Sequence, residues 1–400
     1  MNPAAAPGPL ESPEPILPDY RGGSLVNLMA SVLGAFGGRS GYPELRLLPA
    51  GELAAARHVV LLLVDGLGYH YLERHAAPAS ALRRHLRGTM TSVFPSTTAT
   101  AITALHTGLA PQQHGLTGWF TWLAEAEGVA AVLPFRRRDG GARLAALGVE
   151  PARLFVGPPL FDQLNADSWV VSPRSIIDSD YNRAHCGRAR RVPYGELEEL
   201  FGLAAAAVRE SRSRAYVYAY APDFDALAHA CGVGSPQCLA VLRRVEAGFE
   251  ALIGALAGTG TTLIVTADHG FLDTVPERRL DLADFPALAQ LLDGPLWGEP
   301  RVAYCRVLPG QAAEFERRAR GALAGAARVY PSRQLLAEGW FGLGATHPRF
   351  AERIGDCTLV MEGDYTLRDW LPGEKRFVQV GVHGGVSEDE MRIPLVTVKT

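Results

Sequence analysis

The stretch that decides the fold reads His58-Val-Val-Leu-Leu-Leu-Val-Asp65, in which an unbroken apolar run over 59–64 ends on an acidic residue. A strand that is apolar at every position is typical of a parallel sheet with both faces covered, because neither face meets water. Two later runs have the same form, Ala215-Tyr-Val-Tyr-Ala-Tyr220 and Thr262-Leu-Ile-Val-Thr-Ala267. Parallel strands need long crossover connections, so these runs together predict an α/β fold.

Strand-like and helix-like runs alternate along most of the chain. The predicted strands cover 58–64, about 89–94, 168–172, 215–220 and 262–267, and the predicted helices cover about 69–86, 98–107, 194–210 and 236–257. This alternation predicts a central, mainly parallel sheet with helices on both faces.

A second, smaller unit is expected nearer the end of the chain. Residues 301–307 read as a strand, 309–324 as a helix and 327–330 as another strand. We therefore assign an inserted small α+β subdomain to 285–365, within a single domain that covers 19–400.

Two segments have no clear periodicity. Residues 1–18 are rich in Pro and Ala with little to bury, which predicts a disordered N-terminal arm. Residues 119–168 mix Pro, Gly and Arg, and we expect this long interval to form a cap over a site.

The composition narrows the class of partner and the compartment. Lys and Arg total 39 against 42 Asp and Glu, and the net charge of -3 favours small molecules over a nucleic acid polymer. The five cysteines contain no CxxC pair, which favours a reducing compartment. The N-terminus has no basic start or apolar core of a signal peptide, and no uncharged stretch reaches membrane-spanning length. We expect a cytoplasmic protein without a membrane partner; the oligomeric state stays open.

Residues of the kinds that bind metals or act as nucleophiles follow the apolar runs. The candidates are Asp65, Thr98, Asp225, His229, Asp268, His269 and His383. His383 is included because 377–380 reads as one more strand. Ligands of open α/β sheets bind outside the carboxyl ends of the strands, so we expect all seven side chains to meet at one edge.

Each candidate has an alternative interpretation when it is taken alone. Asp225 and His229 are four residues apart, which puts both on one face of a helix, but such pairs also occur as plain surface pairs. Asp268 could cap a following helix rather than bind a metal beside His269. The Asp65 turn and His383 could likewise be ordinary turn residues. The argument therefore depends on the whole set.

The mixture of carboxylates and imidazoles indicates the kind of metal. Imidazole suits zinc or manganese better than magnesium, and zinc is our first expectation. Two divalent ions would outweigh the three aspartates in charge and leave room for an alkoxide or a bound phosphate. Such a pair clamps the attacking and leaving oxygens of an in-line displacement, which indicates phosphoryl or sulfuryl transfer.

A hydroxyl nucleophile is expected at the start of the helix predicted at 98–107. Thr98 is our choice, because a helix N-terminus favours an incoming anion. Ser96, Thr97 and Thr100 are alternatives, and one hydroxyl of this group could simply cap the helix.

Several motifs occur in the order of a known family. They are Asp65-Gly, Pro-Ser-Thr-Thr98, Thr107-Gly-Leu-Ala-Pro-Gln-Gln-His-Gly115, Pro222-Asp-Phe-Asp-x3-His229, Thr266-Ala-Asp-His-Gly270 and His383-Gly-Gly. The set resembles the alkaline phosphatase superfamily and, within it, the type I phosphodiesterase/nucleotide pyrophosphatase family. The tail Val386-Ser-Glu-Asp-Glu-Met-Arg-Ile-Pro-Leu395 is similar to bacterial members. Thr98 fits the family's nucleophile by two counts, three residues after Pro95 and nine before Thr107.

The resemblance implies an alkaline-phosphatase-like three-layer catalytic domain, and it implies roles for the candidate residues. One metal would be bound by Asp225, His229 and His383, and the other by Asp65, Thr98, Asp268 and His269. The implied activity is two-metal hydrolysis of a small phosphate ester, with a diester as the first expectation, through a covalent phosphothreonine.

Two departures from the family pattern affect the substrate. Ala99-Thr-Ala101 follows Thr98 where nucleotide pyrophosphatases carry Phe-Pro-Asn, and Trp119 takes the place of an asparagine that contacts the phosphoryl oxygen. Nucleotide diesters are therefore one option among several. A phosphomonoesterase, a phosphonate hydrolase or a phosphomutase of the same superfamily is the alternative, and a non-catalytic metal-binding module is the alternative from another class.

Overall fold

Two seven-stranded sheets organise the chain in the computed structural model, which describes residues 14–154, 157–374 and 376–400, without the side chain of residue 153. The larger sheet has the strand order β2-β18-β9-β1-β8-β6-β7, and the second has the order β14-β15-β13-β12-β3-β4-β5. Two pairs of short strands, β10 with β17 and β11 with β16, complete the strands of the described residues.

The strands are short in the second sheet and longer in the first. They are β1 (His58–Val64), β2 (Leu86–Thr91), β3 (Phe120–Leu123), β4 (Gly128–Ala131), β5 (Arg136–Arg137), β6 (Asp167–Pro173), β7 (Arg190–Tyr194), β8 (Ala215–Ala221), β9 (Thr261–Thr266), β10 (Leu272–Asp273), β11 (Arg279–Asp281), β12 (Trp297–Glu299), β13 (Val302–Cys305), β14 (Ala327–Pro331), β15 (Cys357–Met361), β16 (Thr366–Arg368), β17 (Gly381–Val382) and β18 (Arg392–Lys399).

The helices lie mainly around the first sheet. They are α1 (Leu25–Ala35), α2 (Ala50–Ala54), α3 (Tyr69–His75), α4 (Ala81–Arg84), α5 (Thr98–Thr107), α6 (Pro111–His114), α7 (Pro151–Leu154), α8 (Leu160–Gln163), α9 (Asp180–His185), α10 (Leu197–Glu210), α11 (Asp223–Cys231), α12 (Pro236–Ala255), α13 (Pro286–Ala289), α14 (Ala312–Ala322), α15 (Ser332–Ala337), α16 (Phe350–Ile354) and α17 (Glu388–Met391).

The first sheet confirms the predicted α/β fold. Strand β1 is buried along its whole length and pairs in parallel with both β8 and β9. Its register puts Leu63 opposite Tyr220 on one side and Thr266 on the other, so these three strands end side by side. Strand β18 is antiparallel to both of its neighbours, and the other pairs in this sheet are parallel. The aligned strand ends place the residues that follow them close together.

The predicted helix at about 69–86 is wrong in its extent. The structure has two short helices there, α3 and α4, with Pro78 between them. Proline has no N–H for the helix ladder and its ring clashes with the preceding turn, so the helix ends before it. Ser80 then caps α4 by accepting a hydrogen bond from the backbone N–H of Arg83.

The second sheet joins two segments that lie far apart in the sequence. Strands β3 to β5 come from the segment in which no strand was predicted, and β12 to β15 come from the inserted unit. The two parts meet where Phe120 pairs with Gly298. The predicted strand, helix and strand of the insertion are present as β13, α14 and β14. Strands of two to four residues are too short to give a readable period, which explains why β3 to β5 escaped prediction.

A buried ion pair ties this second sheet to the first. The Arg301 guanidinium contacts the Glu390 carboxylate through two hydrogen bonds of 3.0 Å, and both side chains are almost fully shielded from solvent. Glu390 also accepts hydrogen bonds from the Gly385 N–H and the Ser387 hydroxyl. Burial alone would raise the pKa of Glu390, but Arg301 and these donors hold it below its ordinary value. The pair therefore anchors the loop that follows His383.

The N-terminal arm predicted at 1–18 lies largely outside the described residues, which begin at residue 14. The backbone N–H of Ile16 donates a hydrogen bond to the carbonyl of Val386. None of the described helices has the length and apolar content needed to cross a bilayer.

Candidate active site

The structure brings all seven predicted site residues together at the carboxyl edge of the first sheet. Asp65 follows β1, and Asp268 and His269 follow β9 after one residue. Asp225 and His229 lie on α11, which begins directly after β8, and Thr98 is the first residue of α5. These positions agree with the expectation that ligands gather outside parallel strand ends.

His383 reaches the site by a different route from the one predicted. Residues 377–380 form no strand, and Phe377 and Val378 are exposed. The two-residue strand β17 precedes His383 instead, and it pairs antiparallel with β10. Within this segment Phe377 lies against Arg368 and Trp370 on the surface.

One group of ligand atoms surrounds His269. Its Nε2 atom lies 3.3 Å from Asp65 Oδ1 and 3.4 Å from Asp268 Oδ2. The Thr98 hydroxyl lies 3.2 Å from the same nitrogen. Adjacent residues rarely direct both side chains to one point, and here Asp268 and His269 do so from a turn. No helix begins directly after Asp268, because the next element is β10, so the capping alternative does not apply.

The other group surrounds Asp225. Its Oδ1 atom lies 3.5 Å from His229 Nε2 and 3.7 Å from His383 Nε2, and these two nitrogens are 3.2 Å apart. The two groups adjoin, because Asp225 Oδ1 is 4.0 Å from His269 Nε2. The i, i+4 pair is helical, as its spacing suggested, and it faces the cluster.

All three histidines are oriented for ligation by the same device. The Nδ1 atom of His229 lies 2.9 Å from the carbonyl of Gly381, that of His269 lies 3.1 Å from the carbonyl of Gly270, and that of His383 lies 3.2 Å from the carbonyl of Ser96. If Nδ1 carries the proton and donates it to the carbonyl, Nε2 keeps its lone pair toward the cluster.

The carboxylates of the cluster fit divalent cations. Asp65 Oδ1, Asp225 Oδ1 and Asp268 Oδ2 are buried, and none accepts a hydrogen bond from the described residues. Burial raises the pKa of Asp65 to about 6, and burial together with the nearby Asp65 charge raises that of Asp268 to about 8. Three buried carboxylate oxygens without donors are costly unless a cation balances them. Oxygen and imidazole donors in two groups of three fit this requirement.

The hydroxyls at the start of α5 differ in their partners. Ser96 donates to the carbonyl of Gly385, Thr97 to Glu299, and Thr100 to the carbonyls of Pro95 and Thr97. Only the Thr98 hydroxyl in this group faces the ligand cluster, through His269. The residue at the N-cap position is Thr97, so the capping position and the candidate nucleophile are separate residues.

Two residues that the sequence analysis did not select also contact the site. The Tyr220 hydroxyl donates a hydrogen bond to Asp65 Oδ2. Glu299, on β12, accepts hydrogen bonds of 2.6 Å from the Thr97 hydroxyl and from the backbone N–H of Trp119. The alternate tyrosines of β8 were a readable signal for Tyr220, because they share one face of the strand. Glu299 had no signal in its local sequence.

Two cavities meet at Thr98 and Trp119. The smaller, of about 230 Å³, is lined by Asp225, His229 and His383 of one ligand group. The larger, of about 820 Å³, is lined by Asp65 and by residues of the β6–α9 region. A substrate bound at Thr98 can therefore extend in two directions.

The sequence model of the type I phosphodiesterase / nucleotide pyrophosphatase family matches residues 59–385. The chain belongs to this family. As a type I phosphodiesterase/nucleotide pyrophosphatase family member it is an enzyme, a hydrolase of the alkaline phosphatase superfamily. The family is metal-dependent, and the two groups of donors described above are its candidate ligands here. A sequence search of curated proteins finds no significant match.

Several solved structures share the fold of this chain. Murine ectonucleotide pyrophosphatase/phosphodiesterase 5, an inactive variant in complex with AMP, is 18% identical with a TM-score of 0.61, over 85% of this chain and 87% of that one. The human protein gives 19% identity and 0.61 over 85% and 87%. Phosphonoacetate hydrolase from Sinorhizobium meliloti, in complex with phosphonoformate, gives 18% identity and 0.62 over 86% and 90%. At these identities the likeness establishes the fold.

Proposed function

We propose that the protein hydrolyses small phosphodiesters with two bound divalent ions, through a covalent phosphothreonine at Thr98. The observation that carries the proposal is the position of the Thr98 hydroxyl, 3.2 Å from His269 Nε2, where two groups of three metal-ligand residues adjoin. Family membership and the fold support the same reaction class.

The proposed ligands divide as the two groups do. Asp225, His229 and His383 would hold one ion, and Asp65, Asp268 and His269, with Thr98, would hold the other. The donor set suits zinc, with manganese as the alternative. The ion beside Thr98 would favour the ionised hydroxyl, and the ion held by Asp225, His229 and His383 would neutralise the charge that develops on the leaving oxygen.

The residues of the chain would carry two displacements. In the first, Thr98 Oγ1 attacks phosphorus and gives its proton to solvent, the bond from phosphorus to the leaving oxygen breaks, and that oxygen takes a proton from solvent as the alcohol departs. In the second, water attacks the phosphothreonine, and Thr98 leaves with a proton as the phosphate monoester is released. The N-terminus of α5 directs backbone N–H groups toward the phosphoryl oxygens, a position at which an anion is stabilised.

A phosphonate hydrolase is the second candidate. The Sinorhizobium meliloti enzyme of the same fold was solved with phosphonoformate, a small ligand. The cavity beside Asp225, His229 and His383, at about 230 Å³, lies below the usual range for drug-sized ligands and also suits a small group. We place the protein in the cytoplasm as part of this proposal, which the five unpaired cysteines support.

Paired chromogenic substrates test the proposed reaction. The zinc- or manganese-loaded protein should hydrolyse 4-nitrophenyl diesters, and Thr98→Ala should lower turnover by at least about 1000-fold while both metals stay bound. Thr98→Ser keeps a hydroxyl and should retain measurable turnover. Full activity of Thr98→Ala would overturn the nucleophile assignment, and a preference for the monoester or for a phosphonate would replace the diester with that substrate class.

A further inference from the structure

The smaller cavity has one wall made by metal-ligand residues and another that contains two arginines. Asp225, His229 and His383 lie on the first wall, and Arg138 and Arg368 lie on the second. Neither arginine belongs to the proposed catalytic machinery. They differ in whether the protein already neutralises their charge.

Arg138 is fully paired within the protein. Its Nη2 atom lies 2.9 Å from Asp369 and 3.1 Å from Glu374, and its Nη1 donates to the carbonyl of Leu296. This network joins β5 to the inserted unit. Its charge is satisfied without a ligand, so Arg138 has a structural role.

Arg368 has no such partner. Its guanidinium donates to the side-chain carbonyl of Gln379 and lies 5.0 Å from the centre of the Phe377 ring and 5.5 Å from that of Trp370. Among the described residues, no carboxylate lies within 4.0 Å of it. Burial lowers the pKa of Arg368 to about 10, which leaves it charged at neutral pH. A half-buried guanidinium with aromatic support and no counter-ion is a ready site for an anion.

Three acidic residues line this cavity, and two of them have other roles: Asp225 belongs to a ligand group, and Asp369 pairs with Arg138. Glu299 attracts Arg368 electrostatically but lies beyond ion-pairing distance. One of its oxygens already accepts hydrogen bonds from Thr97 and Trp119. The guanidinium therefore remains available to a ligand in the cavity.

We propose that Arg368 binds an anionic group, a carboxylate or a phosphate, on the leaving part of the substrate. The cavity adjoins the ligand group of Asp225, His229 and His383, to which the proposed mechanism assigns the leaving oxygen. A group released from phosphorus on that side enters this cavity and meets Arg368. The inference rests on the proposed function for the direction of the leaving group, while the anion site itself rests on the cavity.

Binding of leaving-group mimics tests the site without requiring turnover. We would titrate 3-hydroxybenzoate, 3-hydroxybenzamide and 3-hydroxyphenylphosphonate into the metal-loaded protein by calorimetry. The carboxylate should bind at least about tenfold more tightly than the carboxamide, since hydrogen bonds to charged groups exceed neutral ones. Whichever anion binds more tightly, carboxylate or phosphonate, identifies the preferred group.

Three variants separate the anion site from other causes. Arg368→Met should remove the preference and Arg368→Lys should keep part of it. Arg376→Met removes a charge from the same aromatic cluster, 5.7 Å from the Trp370 ring, without lining the cavity, and should keep all of it. Equal binding of 3-hydroxybenzoate and 3-hydroxybenzamide to the wild type would overturn the inference. So would a preference for 3-hydroxybenzoate that survives in Arg368→Met, because the metals and not Arg368 would then bind the anion. If the wild-type protein does not hydrolyse the diester, that result would count against the proposed function alone.

Discussion

The two seven-stranded sheets contribute to the site in different ways. The parallel sheet delivers five of the candidate metal ligands directly from the ends of β1, β8 and β9, together with Thr98 at the start of α5. The antiparallel sheet delivers no candidate ligand, but its β12 carries Glu299, and the region around it forms most of the wall of the smaller cavity. The difference indicates that the parallel sheet carries the chemistry, while the antiparallel sheet shapes what can bind.

Removal of the metals should have the largest effect on turnover, because it disables the ligand groups at the edge of the parallel sheet. Dialysis against a strong chelator should lower turnover by at least about 1000-fold, since neither the hydroxyl nor the leaving oxygen is then activated. Zinc or manganese should restore it. A stopped assay with the 4-nitrophenyl diester measures the loss of turnover on chelation and its recovery on metal addition. Turnover that survives complete demetallation would mean that the ligand clusters do not take part in catalysis.

The ion pair of Arg301 and Glu390, which links the two sheets, should give the next largest effect, and that effect is on stability. Glu390→Gln leaves Arg301 buried without its counter-ion and should destabilise the protein by about 3–5 kcal/mol. Urea unfolding at pH 7 measures this loss. Arg301→Met combined with Glu390→Gln should recover part of it, because no buried charge is left unpaired.

The same pair makes a pH prediction. The pKa of Glu390 is lowered in the folded protein, so its stabilising contribution is present above the ordinary carboxylate pKa and is lost as the pH falls through the folded value. The stability of Glu390→Gln should therefore change less than that of the wild type on acidification. Parallel acid dependences in the two proteins would argue against the pairing.

Residues that donate hydrogen bonds to the metal ligands should contribute less to metal affinity than the ligands themselves. Tyr220→Phe removes the hydrogen bond to Asp65 and should weaken binding of one metal by about 10–100-fold. Competition with a fluorescent chelator measures the affinity. Tyr216→Phe is a matched control on the same strand face, because its buried hydroxyl has no partner in the described structure and its loss should leave metal affinity unchanged.

Changes on the antiparallel side should alter selectivity and leave the metals in place. Trp119→Ala enlarges the point where the two cavities meet and should change the ratio of kcat/KM for two diesters by about tenfold, the scale of one lost aromatic contact. Trp122→Ala, on β3 but outside both cavities, should leave the ratio unchanged. A shift in metal content in Trp119→Ala would contradict the division of roles between the sheets.

The sequence was most informative where local pattern and chemistry coincide. The central parallel strands β1, β8 and β9 are buried along their whole length and rich in apolar residues, so an acidic residue soon after such a run stands out, as at Asp65 and Asp268. Helical spacing likewise identified Asp225 and His229 as a pair. These signals need only a few consecutive residues, so five of the seven strands of the first sheet were predicted close to their observed positions, whereas β7 and β18 were not. Six of the seven candidate residues follow or begin the elements expected for them.

The features that escaped prediction depend on contacts between distant residues. Strand β3 pairs with β4, its neighbour in the sequence, but it joins β12 only where Phe120 pairs with Gly298, and the local sequence of neither segment indicates that contact. Glu299 and Arg368 are charged residues of ordinary surroundings in the sequence, and only the fold places them in a cavity beside Thr98. His383 was selected as an imidazole that follows a strand. The strand was misplaced, because β17 and not 377–380 brings His383 to the site.

The central claim, a two-metal centre at the edge of the parallel sheet, is tested most directly by measuring the metal content with inductively coupled plasma mass spectrometry. Loaded wild-type protein should carry two equivalents, and His229→Ala and Asp268→Asn should each retain one, because they belong to different ligand groups. The double variant should retain none. A single equivalent in the wild type, or two equivalents in both single variants, would contradict a two-metal centre at the edge of the parallel sheet.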